Sequence, residues 1–355
     1  MTDRMMAAVY HGPGDLRVES VPVPAIAADE LLLRVESASI CATDLRIHSG
    51  GHRHYPPGVS RIPGHEVAGI VEKVGAHVRD IPPGARVFVA PNLGCGDCPL
   101  CRGGHNNLCS RFEAFGITLD GAFARYMRVT AEAIRQGNVI PLPDALDFDT
   151  AALTEPLACV LRGQEAVGLG AGDAVLVMGA GPIGLMHVML ARRRGARLII
   201  ASDLVPERLA TALRLGADLA VDIRRQELAA EVRKATCDGA DVVIVAAPSR
   251  EAMEQALSLA ATRRRINYFA GLPKQDPEIR LDANLVHYRE LHLTGTTACS
   301  TSDCRRAVEL LRSGALDLRV LIDASYPLAQ ITTAFEHARN RTGLKIVIRP
   351  GEDRT

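Results

Sequence analysis

Short apolar, β-branched runs broken by Gly and Pro fill the first 150 residues of the chain, among them Leu31 to Ser37 (LLLRVES), Val67 to Val74 (VAGIVEKV) and Ala85 to Ala90 (ARVFVA). Runs of this length bounded by turn residues predict strands, and their density predicts a β-rich domain. From Asp173 the texture changes. Apolar strands now alternate with longer helical patterns: AVLVM at 174–178, a helix over 182–194, LIIAS at 198–202, a helix over 206–215, DVVIVA at 241–246, a helix over 251–261 and INYFAG at 266–271. That alternation predicts a parallel sheet with right-handed crossovers. LHLTGT at 291–296 is the last strand candidate of the series, followed by a helix over 302–313 and the short apolar run Lys345 to Ile348. The boundary between the two textures falls near residue 150, in PLPDALDFDTAAL, where Pro and Asp punctuate. No repeat at solenoid periods and no low-complexity segment interrupts this α/β pattern.

Length and composition narrow the function classes. A chain of 355 residues favours two domains over one small core. Lys plus Arg number 41 and Asp plus Glu also 41, so no global field draws nucleic acid or an anionic membrane surface, and small molecules and further copies of the chain are the expected partners. No apolar stretch nears the roughly 18 to 20 residues of a membrane span, so no membrane association is expected. The N-terminal MTDRMMAAVYHGPGD lacks the basic start, apolar middle and cleavage site of a secretory signal, which predicts a cytoplasmic protein. In a reducing compartment, clustered cysteines among a total of nine point to metal ligation before disulfides.

One glycine-rich turn follows a buried strand and opens a helix: Gly179-Ala-Gly181-Pro182-Ile183-Gly184. In that context the first glycine permits the tight turn, the second lets backbone approach a pyrophosphate, and the third allows close helix-to-strand packing, with the helix N-terminus facing the phosphates. Asp203 closes the next strand 24 positions beyond Gly179, where a carboxylate accepts from the adenosine ribose hydroxyls and repels a 2′-phosphate. This favours NAD over NADP, although Arg208 one helical turn on pulls the other way. Ligands lie at the carboxyl ends of parallel strands, so Val245 and Ala246, Ala270, Gly271 and Leu272, and Gly295 and Thr296 are expected to line the cofactor.

Two metal constellations stand out. Cys95, Cys98, Cys101 and Cys109 are separated by two, two and seven residues, and four thiolates fill a tetrahedral Zn²⁺ with no vacancy, the hallmark of a structural site. Such an ion clamps a glycine-rich lobe, about residues 91–112, too poor in apolar residues to hold itself. The second set is scattered: Cys41, His65, Glu66 and Glu155. One thiolate, one imidazole and one or two carboxylates make a mixed, incompletely filled site of the catalytic type, while each of these residues taken singly is as readily part of a core. Asp44 is a candidate carboxylate for orienting a ligand imidazole, or an ordinary turn residue. Cys159, Cys237, Cys299 and Cys304 read as small apolar residues. The segment 48–61, with His52, Arg53, His54 and Arg61, lies between Cys41 and His65. It is a candidate lining for a substrate mouth able to recognise phosphate or carboxylate, with most of its charges expected to be solvated. No Trp and 4% aromatic residues argue against a large aromatic cage and for a small, hydroxyl-rich substrate.

The run Gly64-His65-Glu66-Val-Ala-Gly69-Ile-Val-Glu-Lys-Val-Gly75-Ala-His-Val78, with the four-cysteine loop and GAGPIG, resembles the zinc-dependent medium-chain dehydrogenase/reductase superfamily. Glu155-Pro156-Leu157 is similar to its polyol branch of sorbitol and iditol dehydrogenases. The resemblance implies a GroES-like catalytic domain (1–153), a Rossmann domain with a doubly wound parallel sheet (154–296) and a segment (297–355) returning to the first, with the active site in the cleft. It implies two zinc ions per chain. The catalytic one is held by Cys41, His65 and Glu66 or Glu155, with the choice of carboxylate open. It further implies NAD as cofactor, Thr43 as the hydroxyl that touches the substrate alcohol, and a homo-oligomer, dimer or homotetramer, joined near the edge strand at Leu291. The chain departs from the family at Arg46, where relatives often carry a histidine that ends a proton relay, with His48 two positions later. The implied activity is reversible oxidation of a secondary alcohol on a polyol, cyclitol or sugar derivative. Threonine 3-dehydrogenase-like and sugar-alcohol-phosphate dehydrogenase activities are the in-class alternatives. A zinc-bearing nucleic-acid-binding or regulatory module is the alternative of another class, and it lacks the basic stripe such a module needs.

Overall fold

The computed structural model describes residues 4–273, 275–340 and 343–352. They form two compact units: one contains the residues up to Ala158 together with those from Ala298 on, the other is Cys159–Thr297. The division falls inside the helix Thr154–Ala166, which follows the short helix Phe148–Ala152.

The first unit is built on a seven-stranded sheet. Its path runs Ile322–Pro327, Lys345–Arg349, Leu31–Ser39, Glu66–Val74, Arg86–Val89 and Val139–Pro141, with Tyr126–Val129 also pairing Leu31–Ser39. All pairings are antiparallel except that between Ile322–Pro327 and Lys345–Arg349. Leu31, Leu33, Val35, Val67 and Val71 fill one core with Phe123, Phe335, Ile346 and Ile348. The segment after Ala298 thus contributes to the same apolar core as the first strands, and burial of these side chains, about 1.5–3 kcal/mol each, is what holds it there. Gly69 is required by close packing: a Cβ would stand 2.1 Å from the Arg34 carbonyl oxygen on the neighbouring strand.

The second unit is a six-stranded sheet, parallel throughout, in the order Leu219–Asp222, Leu198–Asp203, Ala174–Met178, Ala240–Val245, Ala260–Tyr268 and His292–Gly295. The two central strands read AVLVM and ADVVIV and are buried at every position, as a sheet covered on both faces demands. Order reverses beside Ala174–Met178, the topological switch of a doubly wound sheet. The strand at INYFAG starts earlier than its apolar run. The helix Arg250–Leu259 stops before Ala260, and Ala260–Tyr268 carries three arginines, two of them exposed and one with φ +61° at a register shift, so its first half has no apolar signature. Cys237, expected to be a small buried residue, is instead exposed, because it caps the helix Leu228–Thr236 with φ +71°.

The glycine turn is the tightest point of this unit. Gly179 has φ +100°, and a Cβ on Gly184 would stand 1.8 Å from the Gly179 carbonyl oxygen. Gly184→Ala should therefore force the helix Pro182–Arg193 off the strand and cost about 1–3 kcal/mol. The check is the midpoint of thermal unfolding together with dinucleotide affinity, both of which should fall.

Candidate functional site

In the second unit most residues expected at the cofactor sit at the carboxyl end of a strand or in the turn that follows it, while Pro182, Ile183 and Gly184 open the helix Pro182–Arg193 and Arg208 lies in the first turn of the helix Pro206–Arg214. Gly181 is the N-cap of the helix Pro182–Arg193, with Pro182 at the first helical position, where its missing N–H costs nothing. Asp203 is committed to the backbone on both oxygens: Oδ2 accepts from the Ala180 N–H at 2.6 Å, and Oδ1 accepts from Leu204 and Val205 at 2.7 and 2.9 Å. Val245 ends its strand, the Ala246 N–H donates to Met178, and the Ala270 N–H donates to the Val245 carbonyl at 3.0 Å. Gly271 and Leu272 follow directly, and Thr296 Oγ1 hydrogen-bonds with the Asn267 side chain at 3.2 Å beside Gly295. A Cβ placed on Gly181 would come within 3.7 Å of the Arg208 guanidinium, so Arg208 borders the turn.

In the first unit Cys95, Cys98, Cys101 and Cys109 converge, their sulfurs all within 4.8 Å of one another. Cys95 to Cys101 is 3.8 Å and Cys98 to Cys109 is 3.9 Å. A tetrahedron with Zn–S of about 2.3 Å has S–S edges of about 3.8 Å, so the set fits zinc and is far too wide for disulfides. Backbone N–H groups of Cys95, Cys98, Cys101 and Arg111 donate to three of the sulfurs at 3.3–3.4 Å. The Cys101 N–H in particular draws the Cys98 thiol down to about 7. Burial pushes the Cys101 thiol up to about 12.

The second convergence joins Cys41, His65 and Glu66, whose ligand atoms also lie within 4.8 Å of one another. Cys41 caps the helix Ala42–His48, and the Asp44 carboxylate accepts from the Cys41 N–H at 2.9 Å. The other Asp44 oxygen lies 3.4 Å from His65 Nδ1, without hydrogen-bond alignment. His65 and Glu66 lead the strand Glu66–Val74 and are 4% and 0% exposed. Burial disfavours the imidazolium, but the charges of Asp44 and Cys41 outweigh it and hold the His65 pKa well above its ordinary value. Glu66 Oε2 accepts from Ser39 Oγ and from Lys345 Nζ, while Glu66 Oε1 has no hydrogen-bond partner. A half-buried thiol, a buried imidazole and a buried carboxylate with one partnerless oxygen are a donor set suited to a divalent ion with a position to spare.

Glu155 is not in that set. It sits on the helix Thr154–Ala166, with Oε1 3.7 Å from Cys299 Sγ, and its charge reaches Lys345. Cys299 lies 3.5 Å from Cys304, so these two buried thiols form a polar cluster with Glu155 and are more than apolar filler. Thr43 lies half-buried in the first turn of the helix that Cys41 caps. His48 hydrogen-bonds with Arg339 and stacks at 5.6 Å on Phe335. Lys345 escaped the sequence reading. It opens the strand Lys345–Arg349, is 4% exposed and donates to the Ile40 carbonyl at 2.9 Å as well as to Glu66. A lysine heading an otherwise apolar strand was the signal available for it.

Comparison with known proteins adds to this geometry. Residues 27–144 match the alcohol dehydrogenase GroES-like domain family, and residues 182–313 match the zinc-binding dehydrogenase family. The sorbitol dehydrogenase of Bacillus subtilis is 35% identical over 354 residues, spanning 98% of this chain and 97% of that one. The L-threonine 3-dehydrogenase of Bacillus licheniformis is 32% identical over 356 residues, spanning 98% and 100%. Among solved structures, a protein assigned as a zinc-binding dehydrogenase of Sinorhizobium meliloti, bound to NADP, superposes with a TM-score of 0.91 at 32% identity and covers 98% of this chain and 99% of that chain.

Two outcomes follow from the charges at these sites. Lys345→Met strands the buried Glu66 carboxylate and should lower stability by about 3–5 kcal/mol, and adding Glu66→Gln should recover most of it. Chemical denaturation of the three variants closes the cycle. In zinc-stripped protein that keeps its fold, alkylation near neutral pH should label Cys98 well ahead of Cys101, because the thiolate is the nucleophile. Mass spectrometry of peptides after short exposures reads the order.

Proposed function

We propose, since the chain belongs to the zinc-dependent alcohol dehydrogenases of the medium-chain dehydrogenase/reductase superfamily, in the polyol-dehydrogenase-like branch, that it oxidises a secondary alcohol of a polyol, cyclitol or sugar derivative reversibly to the ketone with NAD. The observation that carries this reading is the convergence of Cys41, His65 and Glu66, whose ligand atoms lie within 4.8 Å of one another, with one Glu66 oxygen left without a hydrogen-bond partner. Those residues, with Glu155 as the alternative carboxylate, would hold a catalytic zinc, and the four cysteines of the lobe a structural one. A catalytic zinc supplies Lewis acidity without redox chemistry, and NAD supplies the hydride acceptor.

The chain's own residues do the rest. Asp44 faces His65 Nδ1 and leaves Nε2 to the ion, which is how a second carboxylate fixes the tautomer of a ligand histidine. Lys345 neutralises Glu66 and holds one of its oxygens, so the other is the one free to turn toward metal or water. Thr43 is the hydroxyl we assign to accept the alcohol proton. Arg46, exposed, stands where relatives often carry a relay histidine, and His48 two positions later is engaged with Arg339.

Asp203 supports NAD over NADP. Anchored by three backbone N–H groups, it has no freedom to swing away from a 2′-phosphate, and its unused lone pairs suit ribose hydroxyls. Arg208 beside Gly181 partly offsets that preference. Likeness to an L-threonine 3-dehydrogenase keeps threonine as the second substrate to test. We place the enzyme in the cytoplasm as a homo-oligomer, a tetramer for preference. The supporting feature is the edge strand His292–Gly295 of the parallel sheet, next to the exposed Leu281 and Tyr288.

Purified protein with NAD and a panel of polyols, inositols and threonine should form NADH, and metal analysis should count two zinc ions per chain. Cys41→Ser should keep the structural ion, lose the other and drop kcat by about a thousandfold, the consequence of removing several kcal/mol of charge stabilisation. Absence of NADH with every substrate, or full turnover in Cys41→Ser, refutes the reading.

A further inference from the structure

The segment between Cys41 and His65 gathers cations around a half-buried imidazole. His52 and His54 face each other with ring centroids 5.7 Å apart. Arg53 Nε donates to His54 Nε2 at 3.0 Å, and the His54 backbone N–H reaches His52 Nδ1 at 3.4 Å. Burial and then the charges of His54, Arg46, His65 and Arg53 depress His52 to about 4. Arg61 of the same segment is spent elsewhere, on the His54 and Ile117 carbonyls and over the Tyr55 ring at 5.1 Å. Arg46 and Arg53 are exposed and, among the described residues, form no ion pair, in contrast to Arg111 with Asp97 or Arg192 with Asp218. Arg46 also belongs to the helix that Cys41 caps and from which Asp44 braces His65.

Two uncompensated guanidiniums beside two polar imidazoles, within electrostatic reach of His65, form a field looking for a negative charge. A neutral polyol offers none. Resting on the dehydrogenase reading above, we propose that the physiological alcohol carries an anionic group, a carboxylate or a phosphate, which Arg46 and Arg53 bind while His52 and His54 supply hydrogen bonds. The guanidinium fork suits either oxyanion, and its charge does not titrate away at working pH. The carbinol of such a substrate then lies at the Cys41, His65 and Glu66 end of the same small region, so charge recognition sets which hydroxyl is presented.

The test compares a hexitol, the aldonate of the same carbon chain and the hexitol phosphate as substrates of the zinc-loaded enzyme with NAD. The aldonate or the phosphate should exceed the hexitol in kcat/KM by about tenfold or more, and which of the two leads identifies the oxyanion. That ratio should fall toward one with added salt and in Arg46→Gln and Arg53→Gln, while Arg53→Lys should retain most of it. Calorimetric titration with inorganic phosphate and with gluconate gives a readout independent of turnover, and the two glutamine variants should weaken uptake. A ratio near one in the unaltered enzyme, or one that both glutamine variants leave intact, overturns the proposal while leaving the polyol reading in place. Arginine-dependent anion uptake without NADH from these three substrates or from the wider panel of polyols, inositols and threonine upholds the anion site and refutes the dehydrogenase reading.

Discussion

The ammonium of Lys345 is the group on which the first unit's chemistry depends. Nearly shut off from solvent, it rests on the Glu66 carboxylate and the Ile40 carbonyl, and Ser39 donates to the same carboxylate oxygen. Either charge alone at this depth would cost several kcal/mol, and together, with their hydrogen bonds made, they become tolerable. The strands Leu31–Ser39, Glu66–Val74 and Lys345–Arg349 each contribute one partner, so three lengths of chain far apart in sequence meet at one oxygen. Burial and the opposing charges of Glu66 and Cys41 act against each other on Lys345, and the charges win, which keeps it an ammonium. Because one Glu66 oxygen is consumed in this way, the other is the one left without a hydrogen-bond partner. The candidate metal centre is therefore complete only when the last strand of the chain is in place.

The two cysteine-bearing centres solve different physical problems. In the four-cysteine lobe the ligands come from one short stretch, and backbone N–H groups already point at the sulfurs, so the local chain encodes the geometry and the ion would fill it completely. Gly94 shows how tight the wrap is: a Cβ there would stand 2.4 Å from Cys101 Sγ. At Cys41, His65 and Glu66 the ligands come from a helix cap and a strand end, and the groups that orient them, Asp44 and Lys345, are themselves buried. The first arrangement would take an ion that leaves no position open. The second is held by the core around it, which is what allows a coordination position to stay open for chemistry.

This difference also decides what could be read from the chain. The Cys95 to Cys109 spacing and the strand–glycine–helix order at Gly179 are local patterns, and local geometry follows from them almost directly. The alternation that betrays the parallel sheet is likewise carried by contiguous residues such as AVLVM and ADVVIV. Partnerships made by distant chain segments left no such trace. Lys345 meets Glu66 across 279 positions, and Cys299 approaches Glu155 across 144, so neither pair has a spacing to recognise. The strand Leu219–Asp222 was missed for another reason, since at a sheet edge it buries only Val221 and shows no apolar run. The first half of Ala260–Tyr268 was hidden by its arginines, whose polar ends reach solvent while the backbone pairs with Ala240–Val245. Family likeness named Cys41 and His65 with either Glu66 or Glu155, and the fold brings the ligand atoms of Cys41, His65 and Glu66 within a few ångströms while it groups Glu155 with Cys299.

Charge gives the clearest case of a global quantity concealing a local one. Equal totals of acidic and basic residues exclude a long-range field, and much of the surface consists of close pairs such as Arg17 with Asp15, Arg224 with Asp222 and Arg319 with Asp317, which cancel at short range. An even balance summed over the chain nonetheless permits an uneven one where it matters. The charges that depress His52 are those of His54, Arg46, His65 and Arg53, while the carboxylates acting on the adjoining Tyr55 are engaged with backbone: Asp44 accepts from the Cys41 N–H and Asp120 from the Ile62 N–H. Burial is the larger cause of the His52 depression, and the charges of His54, Arg46, His65 and Arg53 add to it. A positive potential next to an open metal position favours alkoxide over alcohol as well as anion over neutral ligand. The same few residues thereby bear on both the acidity of the reacting hydroxyl and the choice of the molecule that carries it.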